Sequence, residues 1–390
     1  MSPVLLLASI VVVLLLAAAF LVAQVASHAG IPPAAAIVLV GIVAGAMLPT
    51  LHVALTPATL ALFLPALIFE GAWDIEIAAL RRVAVAIAVL ALPGVLFTAA
   101  IIASGTAITA GLALPGALAL GACLSATDPV AVLSLFRKLD VPLDLLTIVE
   151  GESIANDGVA FVLWQLVITL QAGGTSPGWL AILGHVVYVM LAGIAAGIVV
   201  ARLGAPFLRR FRVLWIEVAV TVAVAYGAYG AANAIGASGI FGSASAGIAL
   251  AAFVLDRRDR DAVARFWDGT ALVANSAVFL LVGLSLQFER IFHEPLLLLA
   301  TIGTIVLSRA GLAYVLVPVD RKRAAEGWRH AIALAGIRGG LALALALGLP
   351  QDFPSRPQVI DAVFAVVFVT IVVQGWTLAP LLRRLRLQPR

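Results

Sequence analysis

The chain has 390 residues, of which 63% are hydrophobic and only 11% charged, with a mean hydropathy of +1.15. Soluble domains carry about 45–50% apolar and about 25% charged residues, so a single water-solvated core has no place for this much apolar surface. Composition therefore excludes a cytosolic enzyme, a nucleic-acid binder and a disordered chain, and makes the lipid bilayer the solvent. The sequence pI near 9.7 does not reopen nucleic-acid binding, because the basic residues lie between apolar blocks. A single cysteine, Cys123, excludes a disulfide framework and a cysteine metal site, and the five histidines form no H-E-x-x-H pattern.

A membrane-crossing helix needs about 20 mostly apolar residues. Thirteen such stretches follow one another, at about 4–26, 31–50, 53–70, 83–104, 114–136, 146–171, 179–201, 213–235, 239–255, 266–286, 295–318, 329–349 and 358–382. The first is too long for a cleaved signal peptide and lacks its basic flank, so it counts as a span. Breaks fall at Pro, Gly and charge clusters such as Asp256–Asp261 and Asp320–Arg323. With the N-terminus outside, all but four of the 24 Lys and Arg fall in inside loops. These are Arg81 and Arg82; Arg137 and Lys138; Arg202, Arg209, Arg210 and Arg212; Arg257, Arg258, Arg260 and Arg265; Arg321, Lys322, Arg323 and Arg329; and Arg383, Arg384, Arg386 and Arg390. Only Arg290 and Arg356 fall outside, and Arg309 and Arg338 lie within spans. That asymmetry is the positive-inside pattern, and it sets an all-α polytopic protein of about thirteen spans, N-terminus out and C-terminus in. The loops are about a dozen residues at most, so neither an extramembrane catalytic domain nor a regulatory tail is expected.

Ionisable residues inside apolar stretches are the informative ones. Each costs several kcal/mol at the bilayer centre, roughly 2.5–3.5 on insertion scales, and normally faces a polar cavity. They are Asp128, Glu152, Asp157, Arg309 and Arg338, with Glu70 at the end of the third span. Asp128 precedes Pro129 in Ser125-Ala-Thr127-Asp128-Pro129, mid-way along the fifth span. Proline has no N–H and clashes with the preceding turn, so the helix should open there. Breaks at membrane depth are tolerated where they line a cavity, and an unwound span offering a Thr hydroxyl, carbonyls and a carboxylate coordinates cations.

The sixth span opens Glu150-Gly-Glu152-Ser153-Ile-Ala-Asn156-Asp157-Gly158. At helical spacing Ser153 and Asp157 share one face, and Glu152 and Asn156 the neighbouring one. One stripe is suited to a transported ion and the other to a structural partner. Arg338, in Gly336-Ile-Arg338-Gly339-Gly340, lies where three glycines weaken the twelfth span. A buried Arg needs an anionic partner, and Glu152 is the expected one. Arg309 either balances Asp128 or snorkels. Spans 1–6 and 8–13 divide into two inverted six-helix halves with span 7 between them, and the interruptions in spans 5 and 12 occupy the fifth place of each half. Paired interruptions of this kind mark the midplane site of a secondary transporter.

These motifs resemble a known family. Ala126-Thr-Asp-Pro129 followed by Val-Ala-Val-Leu, Glu150-Gly-Glu-Ser-x-x-Asn-Asp-Gly158 and Gly336-Ile-Arg-Gly-Gly340 resemble the bacterial and archaeal Na⁺/H⁺ antiporters of the NhaP type, in the monovalent cation:proton antiporter group. Leu64-Pro-Ala-Leu-Ile-Phe69-Glu70-Gly and Asn275-Ser-Ala-Val-Phe-Leu-Leu-Val-Gly283 match as well. The resemblance implies that Asp157 is the exchanged carboxylate, that Thr127, Asp128 and Ser153 complete a Na⁺ site, and that Glu70 reaches toward it. It implies that Asn156 completes an Asn-Asp pair and that Glu152 bridges to Arg338. It also implies discontinuous helices crossing at the ion site, and a homodimer. Each protomer would have a dimerisation part at about 1–70 plus 179–286, and a moving core at about 83–171 plus 295–384. The substrates would be Na⁺ or Li⁺ and H⁺, with K⁺/H⁺ exchange on the same fold as the alternative.

The physical logic of such exchange is competition. A buried carboxylate without a counter-charge is too costly to carry bare across the hydrophobic barrier, and either H⁺ or a hard monovalent cation neutralises it. No cofactor is implied, and no G-x-x-x-x-G-K-[ST] motif for ATP occurs. An ion channel would need a filter such as TVGYG, which is absent. An intramembrane aspartyl enzyme built on Asp128 and Asp157 lacks any peptide-binding signature, so no enzyme is expected. A small-molecule symporter using Arg338 for a carboxylate is opposed by the neutralising Glu152.

Overall fold

The computed structural model describes residues 3–28, 33–47, 57–173, 178–211, 213–253, 257–285, 293–318, 327–374, 377 and 380–381, and no strand occurs among them. The expected start of the third span at 53–56 lies outside the described residues. So do Arg212, Asp256, Arg290, Asp320–Arg323 and the basic residues from Arg383 onward.

The helices are α1 (Pro3–His28), α2 (Pro33–Met47), α3 (Pro57–Trp73), α4 (Ile77–Ala91), α5 (Pro93–Ala110), α6 (Leu114–Cys123), α7 (Val130–Lys138) and α8 (Leu143–Gln171). They continue with α9 (Trp179–Arg210), α10 (Leu214–Ala234), α11 (Gly239–Phe253), α12 (Arg257–Ser285), α13 (Pro295–Gly311), α14 (Trp328–Leu334), α15 (Gly340–Leu347) and α16 (Arg356–Val369). A π-turn extends α13 over Leu312–Leu316, and another extends α16 over Thr370–Gln374. Among the described residues, seven segments are long and apolar enough to cross a membrane, including Ile77–Ala110, which joins α4 to α5, and Leu143–Gln171. Large apolar side chains such as Ile108, Trp215 and Val315 stand three-quarters exposed or more. Such a belt suits lipid and not water.

Both expected interruptions are present. The fifth stretch is two half-helices, α6 and α7, separated by residues 124–129, with Pro129 immediately before α7. The glycines around Arg338 separate α14 from α15. By contrast, Glu150–Asp157 lie wholly within the 29-residue helix α8. The charged segment from Arg257, read as a loop before a span at 266, is the first part of α12.

Packing gathers the helices in two groups. α2 packs on α12, α9, α10 and α11 pack on one another, and α10 and α11 pack on α3. In the second group α4 packs on α8, α5 on α13, α6 on α5 and α8, and α15 and α16 on α6. The two broken stretches meet inside this second group. The Asp128 N–H donates to the Ile337 carbonyl at 2.8 Å, so each break supplies what the other lacks.

That contact requires a glycine. A Cβ on Gly339 would run into the Asp128 carboxylate. Gly303, in contrast, lies in α13 with open space around it. Gly339→Ala should therefore lower stability by roughly 1–3 kcal/mol, as overpacking does. Gly303→Ala should be neutral or stabilising by about 0.5–1 kcal/mol through helix propensity. Thermal unfolding of the purified protein in detergent measures both; equal midpoints for the two variants would contradict the close approach.

Candidate ion site at the helix crossing

Opening a helix in a low-dielectric medium strands carbonyls and N–H groups, and each group left unsatisfied costs several kcal/mol. Here α8 and two arginines supply the partners. The Asn156 amide grips Thr127 from both ends: its Oδ1 accepts from the Thr127 N–H at 3.3 Å, and its Nδ2 donates to Thr127 Oγ1 at 2.7 Å. The Ser153 hydroxyl, one turn earlier on α8, donates to the Thr127 carbonyl. Thr127, Ser153 and Asn156 are all buried.

Arg338 is fully buried, and its Nη1 donates to the carbonyls of Ser125 at 3.0 Å and Ala126 at 2.7 Å. Those carbonyls follow the end of α6, where the helix dipole leaves partial negative charge. The Arg338 backbone N–H donates to Thr370 Oγ1 at 3.3 Å, which ties the break to the π-turn after α16.

Arg309 takes a different partner from either expectation. Its Nη1 donates to Glu152 Oε1, its Nη2 lies 3.4 Å from Glu152 Oε2, and Nη2 also donates to the Ile332 carbonyl at 2.7 Å. Both charged side chains are almost wholly buried. Glu152 thus pairs with Arg309 and not with Arg338, which corrects the expected Glu152–Arg338 bridge. The reason is geometric. Arg309 sits in the last turn of α13 with its side chain against Gly336, where a Cβ would displace it. Arg338 lies in the break itself and satisfies carbonyls instead of a carboxylate.

Asp157 follows Asn156 on α8. Its Oδ1 is shut off from solvent and accepts no hydrogen bond, and Asp128 lies within electrostatic range. Asp128 itself sits just before the N-terminus of α7, where the helix dipole favours an anion. The crossing therefore brings together Thr127, Asp128, Ser153, Asn156, Asp157, Glu152, Arg309 and Arg338. Glu70 lies elsewhere, with Arg137, Asp74 and Asp268 as its electrostatic partners. Thr370 and the carbonyls of Ile332 and Ile337 also take part in the crossing, beyond the residues that the sequence motifs mark. A backbone acceptor leaves no mark in sequence, although Thr370 stands out as a hydroxyl within the last apolar stretch.

Two half-helix pairs crossing with hydroxyls, carbonyls and carboxylates at one point are the architecture of a secondary transporter. The family described as "Sodium/hydrogen exchanger, transmembrane" matches residues 11–384, and the chain belongs to that family.

Among its relatives, it is 34% identical over 337 residues to the Na⁺/H⁺ antiporter ApNhaP of Aphanothece halophytica, covering 84% of this chain and 64% of that protein. It is 30% identical over 374 residues to the Na⁺/H⁺ antiporter NhaH of Halobacillus aidingensis, covering 91% of this chain and 92% of the other. The chain spans just under two thirds of the length of the antiporters ApNhaP of Aphanothece halophytica, NhaS1 of Synechocystis and NhaG of Bacillus atrophaeus that it matches. The solved sodium proton antiporter MjNhaP1 of Methanocaldococcus jannaschii superposes with a TM-score of 0.76 over 98% of each chain, at 20% identity, which shows a shared fold.

The buried pair makes a stability prediction. Glu152→Gln and Arg309→Gln should each cost about 3–5 kcal/mol, because the remaining charge is stranded. The double variant should lose much less than the sum of the two. A double-mutant cycle by thermal unfolding measures this coupling. A larger coupling between Glu152 and Arg338 than between Glu152 and Arg309 would contradict the assigned pairing.

Proposed function

We propose that the chain is a secondary antiporter that exchanges Na⁺, and also Li⁺, for H⁺ by alternating access, one cation for one proton. The carrying observation is the charge inventory of the crossing. Arg309 and Arg338 stand against Glu152, Asp128 and Asp157, which leaves one negative charge over when all are ionised. One proton or one monovalent cation removes it. Asp157 carries that surplus, because Glu152 is held by Arg309 while Asp157 Oδ1 has no hydrogen-bond donor. The relatives named as Na⁺/H⁺ antiporters support the same substrates.

Thr127, Ser153 and Asp128 serve as the hard oxygen ligands around Asp157 that suit a small cation, with Glu70 on the approach. Asn156 carries no titrating proton, so it adds no second exchangeable charge. Arg309, Arg338, Glu152 and Asn156 hold the crossing together. The two packing groups support a division into a dimerisation part, about 1–70 plus 179–286, and a moving core, about 83–171 plus 295–384. The distribution of Lys and Arg supports an N-terminus outside and a C-terminus in the cytoplasm of a cell-membrane protein. A homodimer and a role in pH and sodium homeostasis follow from the same reading. So does the absence of catalytic chemistry.

Proteoliposomes with a trapped pH dye test the reading. Na⁺, Li⁺, K⁺ and choline are added in turn; Na⁺ and Li⁺ should collapse the pH gradient, while a response to K⁺ alone would make the chain a K⁺/H⁺ antiporter. Asp157→Asn, folded by size-exclusion chromatography, should lose the response entirely.

Stoichiometry is read separately. Each uncompensated charge couples to the membrane potential at about 2.3 kcal/mol per 100 mV. Initial rates should therefore be unchanged when valinomycin and K⁺ impose a potential. Rates that follow the imposed potential would rule out one-for-one exchange.

A further inference from the structure

Thr370 lies within the last apolar stretch and belongs to neither break, yet its side chain reaches into the crossing. A peptide unit is planar, so the C=O of one residue and the N–H of the next point in opposite directions from one rigid plate. The unit between Ile337 and Arg338 is held at both ends. Its C=O accepts from the Asp128 N–H at 2.8 Å, and its N–H donates to Thr370 Oγ1 at 3.3 Å. Thr370 opens the π-turn Thr370–Gln374 and is only 9% exposed. Its own hydrogen goes back to the Val367 carbonyl at 3.2 Å, with the Arg338 carbonyl next at 3.5 Å, which leaves a lone pair for the Arg338 N–H. Ile337 and Arg338 are buried, so a peptide turned away from Thr370 would strand that N–H. The Arg338 side chain does not fix the plate by itself. Only its Nη1 is engaged, on the Ser125 and Ala126 carbonyls, while Nε and Nη2 have no hydrogen-bond partner among the described residues. Gly336, Gly339 and Gly340 on either side give the segment little stiffness of its own.

We propose that Thr370 is a positioning residue for cation exchange: its hydroxyl orients the Ile337–Arg338 peptide, and that peptide holds Asp128 in place as an ion ligand. The proposal rests on the reading of Asp128 as one of the oxygen ligands around Asp157. Thr370 acts at one remove, through a single peptide unit. An N–H engaged by an acceptor also polarises the carbonyl at the far end of the same unit, which strengthens the bond from Asp128. Without the hydroxyl the plate is free to turn, and the Asp128 amide loses its acceptor. Cation affinity should suffer before turnover does, because Asp157 and the Glu152–Arg309 pair stand outside this chain of contacts. A hydroxyl that only stabilised α16 would leave the opposite break and the cation affinity as they are.

Thr370→Val removes the hydroxyl at nearly constant shape, Thr370→Ala removes it without crowding, and Thr370→Ser keeps it. Thr301→Val on α13 is the control, since Thr301 is fully buried and its hydroxyl bonds the Leu297 carbonyl of its own helix. Hydrogen–deuterium exchange of the full chain in detergent, read by mass spectrometry, reports on the breaks without transport. Thr370→Val and Thr370→Ala should exchange at least tenfold faster in peptides covering 124–129, while Thr370→Ser and Thr301→Val should match the unsubstituted chain. In proteoliposomes the Na⁺ concentration for half-maximal exchange should rise at least fivefold in Thr370→Val, or in Thr370→Ala where the valine variant does not fold. The maximal rate should stay within twofold, and Thr370→Ser should restore the half-saturation. Unchanged deuterium exchange at 124–129 in the variants without the hydroxyl, a serine variant that behaves like them, or a lowered maximal rate with half-saturation in place would each overturn the proposal. A chain without any Na⁺-driven exchange would overturn the antiport reading instead, and deuterium exchange at 124–129 decides the Thr370 contact by itself.

Discussion

A helix can be opened at membrane depth only if every backbone group it frees finds a partner inside the protein. Two helices are opened here, and each completes the other. The amide of Asp128 reaches the carbonyl of Ile337, and the guanidinium of Arg338 reaches back to Ser125 and Ala126. Gly339 exists to let the two breaks come this close. Without the second break the first would leave carbonyls facing nothing, and the oxygen-rich centre that follows from it would not be stable. The remaining features of the crossing are additions to this mutual repair.

Helix α8 organises those additions. It runs unbroken for 29 residues past both breaks, and its polar residues are distributed by height. Glu150 stands 3.8 Å from Arg137, Glu152 takes Arg309, and Ser153 and Asn156 hold Thr127. Asp157, next along, has a carboxylate oxygen that accepts no hydrogen bond. Neutralising Glu152 with a bidentate guanidinium separates the charge that fixes the fold from the Asp157 carboxylate, whose buried oxygen is left without a donor. A buried pair of this kind adds little net stability over an apolar substitute, so its value lies in fixing how α13 meets α8.

The two breaks and the polar segment of α8 were legible in sequence because local chemistry marks them. Pro129 removes an N–H, the glycines around Arg338 weaken a helix, and Glu150–Asp157 place polar groups in an otherwise apolar run. The partner of Glu152 was not legible. Two arginines in separate spans were equally available, and which one arrives depends on how α13 packs and on the space left at Gly336. Arg338 Nη1 goes to carbonyls freed by the other break instead of to an acid, and carbonyls carry no signature in sequence. The group around Arg137 was missed for a related reason. Its members, at 70, 74, 137, 150 and 268, come from four helices and the turn after α3, and nothing in the sequence says that they meet. The start of α12 was misread as a loop because its charges break the apolar pattern without breaking the helix.

The amide at 156 also settles where hydrogens lie. It takes the Thr127 N–H with its oxygen and offers an N–H to the Thr127 hydroxyl oxygen, while Ser153 gives its only hydroxyl hydrogen to the Thr127 carbonyl. Ser153 therefore has only lone pairs left to turn toward anything else. A carboxylate at 156 would have no N–H to give. The Thr127 hydroxyl would have to reverse and become the donor, and the polarity of that side of the crossing would invert with no heavy atom moving. The same oxygens, in the same places, present lone pairs or hydrogens to the interior of the crossing according to which way one side-chain amide points the protons.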